Sequence, residues 1–252
     1  MSAAGFRATL SGVADIGSTK PASPVRGSDD TVFRDLMAAE SALRPPPGNS
    51  RGLDWYPTRV DMAASADLGF TSGPWQAGRA DGSRGGQFLS LWTRDMAGRW
   101  RVALDAGISH AVTRIDYPLS PPESAPPAPH PPPTKLVEED GIAHGMGGFA
   151  TAGVEDGIGA GLRTYARNEG FVLLIDGEMP MELAAADRYF IERPLTGEWQ
   201  ERENGRSRDH TLAYAGGALL APERRFAGVQ IWQYDSKVAN WGLRILLLAS
   251  AE

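Results

Sequence analysis

The sequence predicts an α+β protein of two consecutive domains, each placing helices before a curved antiparallel β-sheet. Three observations carry the prediction. First, Trp55 stands fifteen residues before Phe70, and Trp199 stands fifteen before Tyr214. Leu91-Trp92 and the run from Trp100 to Leu104 are answered in the same order by Ile231-Trp232 and the run from Trp241 to Ile245. Ordered landmarks of this kind mark an internal repeat. Second, each half runs from helix-forming segments to β-rich runs separated by Gly, Ser and Asp. Third, Pro118 to Pro133 contains Pro121-Pro122, Pro126-Pro127 and Pro131-Pro132-Pro133. Such a segment neither donates to a sheet nor continues a helix, and it reads as an extended spacer. The domains are therefore 1–117 and 135–252, joined by a proline-rich linker at 118–134.

In chain order, residues 1–12 suit a short helix and Gly12 to Gly27 a loop or weak strand. Asp29 to Leu43 carry helix formers, with Asp29 and Asp30 at the start and Pro45-Pro46-Pro47 as the stop. Strands are predicted over Trp55 to Ala63, Leu68 to Trp75, Phe88 to Arg94 and Trp100 to Ile108. Period-two alternation on the last of these puts Trp100, Val102 and Leu104 on one face and Arg101, Ala103 and Asp105 on the other. In the second half, Leu136 to Tyr165 reads as two helices broken around Gly145-Met146-Gly147-Gly148 and Gly153. A buried strand over Phe171 to Ile175 and a helix over Met181 to Ile191 follow. The strand series then returns as Gly197 to Arg206, Thr211 to Leu219, Phe226 to Tyr234 and Trp241 to Ala249.

The repeat extends upstream of the tryptophans. Ala4-Gly5-Phe6-Arg7 matches Ala160-Gly161-Leu162-Arg163, and the same offset sets Pro24 on Pro180. Leu136 to Gly159 has no counterpart in the first half, so the first copy is expected to lack its N-terminal helix.

Charge and composition exclude several classes of function. With 25 Lys and Arg against 31 Asp and Glu, the net charge is −6, and the pI is near 5.3. No basic run offers the counterion displacement that nucleic acid or an anionic membrane requires. The absence of cysteine removes disulfides, thiolate metal sites and cysteine nucleophiles. No apolar run reaches membrane-spanning length, the longest being Ile245 to Ala249. As written the chain is expected to be cytoplasmic, or periplasmic if a leader has been removed.

The motifs Asp67-Leu68-Gly69-Phe70-Thr71-Ser72-Gly73-Pro74-Trp75, Leu91-Trp92 and Gly98-Arg99-Trp100-Arg101-Val102-Ala103-Leu104-Asp105 resemble the superfamily of nuclear transport factor two, ketosteroid isomerase and SnoaL-type cyclases. The resemblance is closest to its uncharacterised bacterial branch, often found as tandem copies. It implies a cystatin-like, cone-shaped domain in which a bent sheet wraps helices around a mostly apolar cavity, the default place for a ligand. It also implies pairing through the outer sheet face, which two copies on one chain could satisfy as an intramolecular pseudo-dimer, with a homodimer as the other arrangement. The fold hosts many activities and does not fix one.

A cofactor-free isomerase needs a carboxylate base and a buried acid or tyrosine to stabilise the enolate. Matching Tyr165-Ala166-Arg167-Asn168-Glu169 to the isomerase pattern puts the base position near Leu174 in the second half and near Ser18 in the first, and neither can abstract a proton. Asp105, at the end of a central strand, and Asp176, in an Asp-Gly pair that is also a turn dipeptide, are the catalytic candidates. Tyr165 and Tyr214 are candidate hydrogen-bond donors. Arg59 and Asp61 share a strand face and could orient a polar ligand or form a surface ion pair. Trp75 has no aromatic counterpart in the second half and could border a pocket. His210 is a candidate ligand-binding residue, although it follows Asp209 directly, which aims the two side chains to opposite strand faces and defeats a triad. The four histidines, His110, His130, His144 and His210, have no metal-ligand spacing, so no metal and no cofactor is expected. The sequence thus points to a binder of a small apolar or amphipathic molecule. Its alternatives are a cofactor-independent lyase or isomerase, and an assembly module.

Overall fold

The computed structural model describes residues 35–40, 53–55, 57–77, 84–111, 140–167, 170–235 and 238–251. The segments read from the sequence at 1–12, at 12–27, on either side of 35–40 within Asp29–Leu43, and at 118–134 lie outside these residues. The helical segment 35–40 is designated α1. The first sheet contains β1 (Leu53–Trp55), β2 (Arg59–Met62), β3 (Leu68–Ala77), β4 (Arg84–Arg94) and β5 (Trp100–His110). The second half contains α2 (Asp140–Glu155), α3 (Ile158–Tyr165), β6 (Val172–Ile175), α4 (Leu183–Glu192), β7 (Glu198–Arg206), β8 (Leu212–Leu220), β9 (Arg225–Asp235) and β10 (Asn240–Ser250).

The fold is mixed α+β, with two five-stranded sheets. In the first, β3, β4 and β5 are antiparallel neighbours, and β1 and β2 lie in succession along the free edge of β3. The single strand expected over Trp55 to Ala63 is thus two strands, interrupted at Pro57, whose missing N–H cannot contribute to a ladder. In the second sheet the order is β6-β10-β9-β8-β7. Here the all-antiparallel expectation is corrected: β6 runs parallel to β10, pairing Val172 with Ile245 and Ile175 with Leu248. Helix α4 and three further strands separate the two, the long connection that parallel pairing demands.

Each sheet buries two faces. Phe70, Leu89, Leu91, Leu104 and Ile108 of the first sheet share one core with Tyr214, Val229, Ile231, Ile245 and Leu247 of the second. The opposite face of the first sheet packs Trp92 and Trp100 against Leu36 of α1. The opposite face of the second packs Trp232, Trp241 and Leu246 against Phe149, Leu162 and Phe190 of α2, α3 and α4. This double burial explains why β8 and β10 read as nearly continuous apolar runs rather than alternating ones.

Strict alternation fails on β5. Leu91 pairs with Leu104 but Trp92 pairs with Val102, so Ala103 is the extra residue of a bulge. The bulge switches Leu104 from the tryptophan face to the core between the sheets and turns Asp105 toward the helix side. The second sheet has a bulge at Arg244 of β10, again beside the tryptophan of the neighbouring strand, Trp232, and another at Arg202 of β7. Two turns also match in detail. Ala63 N donates to Leu68 O and Ala66 N to Ala63 O, while Ser207 N donates to Leu212 O and His210 N to Ser207 O. Ala66 and His210 both adopt positive φ, at 53° and 57°.

The helix break expected around Gly145 to Gly148 does not occur, since α2 runs unbroken to Glu155 and the chain turns at Gly157, φ 89°. Two of the glycines in α2, Gly145 and Gly148, instead admit aromatic rings. A Cβ on Gly145 would lie 3.2 Å from Trp232 Cζ3, and one on Gly148 would lie 2.0 Å from the Tyr165 hydroxyl. Gly147 meets nothing within 4 Å. Gly147→Ala is therefore expected to stabilise the protein by about 0.5–1 kcal/mol through helix propensity alone. Gly148→Ala should destabilise it by forcing the tyrosine aside. Chemical denaturation of the two variants beside the parent checks the opposite signs.

Candidate functional site

The helix-side face of the second sheet is filled by side chains. Phe149, Tyr165 and Trp232 form a mutually edge-on aromatic trio with centroids 6.2–6.4 Å apart, and Trp232 Nε1 donates to Gln230 Oε1 at 2.9 Å. Tyr165, a candidate donor from the sequence, is held in this trio with its hydroxyl against Gly148.

The corresponding face of the first sheet is more polar. Glu40 of α1 is almost fully buried, and its carboxylate accepts from Trp55 Nε1 at 3.0 Å and from the Thr71 hydroxyl. Trp92 Nε1 donates to Thr71 Oγ1 at 3.0 Å. Asp105 lies on this face because of the β5 bulge, and it accepts from Ser90 Oγ at 2.9 Å. Burial raises the Asp105 carboxyl above its ordinary value and the nearby Glu40 adds to the rise, against the stabilising Ser90 bond. Glu40 and Ser90 were not nominated by the sequence, because only tertiary packing sets Glu40 of α1 against Trp55 and Thr71, and only strand pairing sets Ser90 opposite Asp105.

The other nominated residues are dispersed. Asp176 is a turn residue, and its carboxylate accepts from Ser109 N at 2.8 Å and Ser250 N at 2.6 Å, joining the ends of β5 and β10. Tyr214 belongs to the core between the sheets, on the face of its sheet away from the aromatic trio, where burial and then Glu203 raise its hydroxyl pKa. It cannot serve Asp105, which lies on the far face of the other sheet. Arg59 and Asp61 do not form a surface ion pair. Arg59 Nη1 donates to Gly170 O at 2.7 Å, and the buried Asp61 accepts from Gln233 Nε2 at 3.1 Å, so both link β2 to the second half of the chain. Burial, followed by the Arg244 charge, lowers the Arg59 pKa. Trp75 is buried and donates to Ile108 O at 3.1 Å. His210 occupies a positive-φ turn position. Its neighbour Asp209 accepts from Ser207, Thr211 and Ser65 N.

Two cavities open near the start of β9. The larger, about 500 Å³, lies between the C-terminal end of α4, the end of β6 and the β8–β9 turn. Ile175, Phe190, Leu195 and Phe226 form its apolar part, and Tyr189, Arg193, Glu223 and Arg224 its polar part. The Arg193 guanidinium stands 4.9 Å from the Tyr189 ring centroid. Burial and Glu178 raise the Tyr189 pKa while Arg193 and Arg224 oppose them, so both guanidiniums lie within electrostatic reach of one phenol. The second cavity, about 230 Å³, lies between the sheets. The arginines were missed in the sequence, although the Arg224-Arg225 doublet after Pro222-Glu223 is a visible signal of a charged turn. Among the described residues no three His, Asp or Glu side chains converge as a metal site, and no helix is long and apolar enough to cross a membrane.

No protein-family model matches the chain, and no curated protein matches it significantly. Among solved structures there are distant, partial likenesses. A DUF4783 family protein from Bacteroides uniformis is 14% identical with a TM-score of 0.35, over 42% of this chain and 96% of that one. Another from Bacteroides ovatus is 15% identical with a TM-score of 0.33, over 42% and 94%. A cystatin-like protein from Ruminococcus gnavus is 7% identical with a TM-score of 0.24, over 88% of this chain and 73% of that one.

The raised Asp105 pKa has a consequence for stability. The folded protein favours the neutral acid, so ionisation opposes folding. Stability attributable to this group is full below its ordinary value of 3.8 and is lost as pH rises through the folded value. Asp105→Asn retains an acceptor for Ser90 and cannot ionise. It is expected to melt higher than the parent at neutral pH, the difference disappearing below the ordinary carboxylate range. Melting curves across pH measure it.

Proposed function

We propose that this chain binds a small amphipathic molecule at the mouth between α4, β6 and the β8–β9 turn. The observation that carries the reading is the cavity of about 500 Å³ there, an apolar surface edged by two guanidiniums, a phenol and the Glu223 carboxylate. Its size falls within the range of small-molecule sites. Neither Arg193 nor Arg224 forms an ion pair with a described residue, which leaves both able to meet a polar or anionic group. Phe190 and Phe226 belong to the core under the second sheet, so a ligand seated here would rest on the end of that core. No metal or nucleotide enters the proposal.

The same reading takes the two halves as copies of one cone-like unit of the nuclear transport factor two and SnoaL type, paired inside one chain through their sheets. The matched turns at Ala66 and His210 and the matched bulges at Ala103 and Arg244 support it. A lyase or isomerase has less in its favour. Asp105 is half-buried, held by Ser90 and near the Glu40 charge, and neither nominated tyrosine shares its face.

The test is thermal denaturation of the intact chain with steroids, aromatic carboxylates and polyketide-like lactones. A ligand present at a hundredfold its Kd should add about 2.7 kcal/mol of stability. The Arg193→Gln/Arg224→Gln double variant, altered only at exposed positions, should lose the shift for carboxylates. No rise with any class, or a rise undiminished in the double variant, would sink the proposal.

A further inference from the structure

The cavity between the sheets is a separate feature with a different chemistry. Packed sheets stand about 10 Å apart, and at the centre of this pair Phe70, Leu91, Tyr214, Ile231 and Ile245 fill the gap. Toward the end where β9 begins and β10 finishes, the facing positions become small: Ala106 on β5, Ala218 on β8, Ala227 on β9 and Ala249 on β10. One-carbon side chains cannot span the separation, and an apolar slot of about 230 Å³ remains. Water in such a space finds too few polar partners to be held well.

The slot has a cationic mouth. Arg202 is the extra residue of a bulge in β7, between the pairs Glu201–Gly217 and Glu203–Gly216, and bulges re-aim side chains. It lines the slot together with Arg225. Arg225 follows Arg224 directly, and strand alternation sends the two to opposite faces, Arg224 to the larger mouth and Arg225 to the slot. Neither Arg202 nor Arg225 forms an ion pair with a described residue, and among the described residues no carboxylate lines the slot. Glu203 stands next to it, against Gly216, outside the lining.

We propose that this slot binds a linear aliphatic carboxylate, with the hydrocarbon chain between the sheets and the headgroup between Arg202 and Arg225. A chain fits because the opening is only as deep as the missing side chains. A fused ring system would require the sheets to part. Guanidinium forks match a carboxylate in two-bond geometry. This site goes beyond the mouth at α4 and does not depend on it.

Titration calorimetry of the intact chain with hexanoate, octanoate and decanoate, with octanol as the uncharged control, tests the inference. Affinity should rise about fourfold per added methylene until the slot is full. Ala249→Leu and, separately, Ala227→Leu should abolish binding by filling the slot, with circular dichroism and melting confirming a folded chain. Arg202→Gln/Arg225→Gln should weaken octanoate by about tenfold or more while leaving octanol unchanged. Arg193→Gln/Arg224→Gln should leave the alkanoates unaffected, which separates the slot from the mouth. Absence of alkanoate binding by the parent, binding that survives in a folded slot-filling variant, or loss on changing Arg193 and Arg224 would each overturn it.

Discussion

The burial of one sheet against the other is the constraint on which the rest of this structure depends. A sheet covered by helices on one side still has a second face to remove from water, and here each sheet supplies the cover for the other. Phe70, Leu89 and Leu104 meet Tyr214, Ile231 and Leu247 in a single core. The central strands are therefore buried on both faces, and polar side chains there must find partners within the protein. Ser90 with Asp105, Gln230 with Trp232 and Thr71 with Glu40 are such pairs. A cofactor or substrate could reach those central positions only by displacing packed side chains, which leaves the margins of the sheet pair as the open places.

Polar links tie the margins together. At one margin the β2–β3 and β7–β8 turns exchange contacts, with Arg208 N and Nε donating to Asp67 and Ser65 N donating to Asp209. Asp61 with Gln233 and Arg59 with the Gly170 carbonyl also bind β2 to the second half. At the other end the Asp176 carboxylate joins β5 to β10. Several residues of chemical interest in the sequence are occupied in this way. Their charge-assisted bonds to backbone groups and amides are of the stronger kind, and they fix how the sheets sit on one another.

Bulges decide which chemistry appears on which face. The extra residue at Ala103 directs Leu104 to the shared core and Asp105 to the helix side. The extra residue in β7 accompanies the turn of Arg202 toward the slot. In both cases one inserted residue reverses the alternation that follows it, so a side chain's environment changes without any change in its neighbours in sequence.

The sequence by itself determined the α+β order of elements, the positions of nearly all described strands and the paired tryptophan landmarks, because these follow from local periodicity and turn residues. Trp92 on β4 and Trp232 on β9 are both buried, and Asp176-Gly177 forms the turn that its dipeptide suggests. Only the tertiary structure decided the parallel pairing of β6, the unbroken course of α2 past its glycines, and the side of the sheet on which Asp105 lies. It alone set Glu40 against Trp55 and Thr71 and left room beside Arg193, Arg202, Arg224 and Arg225. The physical reason is range: periodicity and turn chemistry act over a few residues. Bulge placement and glycine–aromatic contact depend on residues from eleven to almost ninety positions apart, such as Ala103 and Trp92 or Gly145 and Trp232, and the space between the sheets on residues more than a hundred apart, such as Leu104 and Gly216.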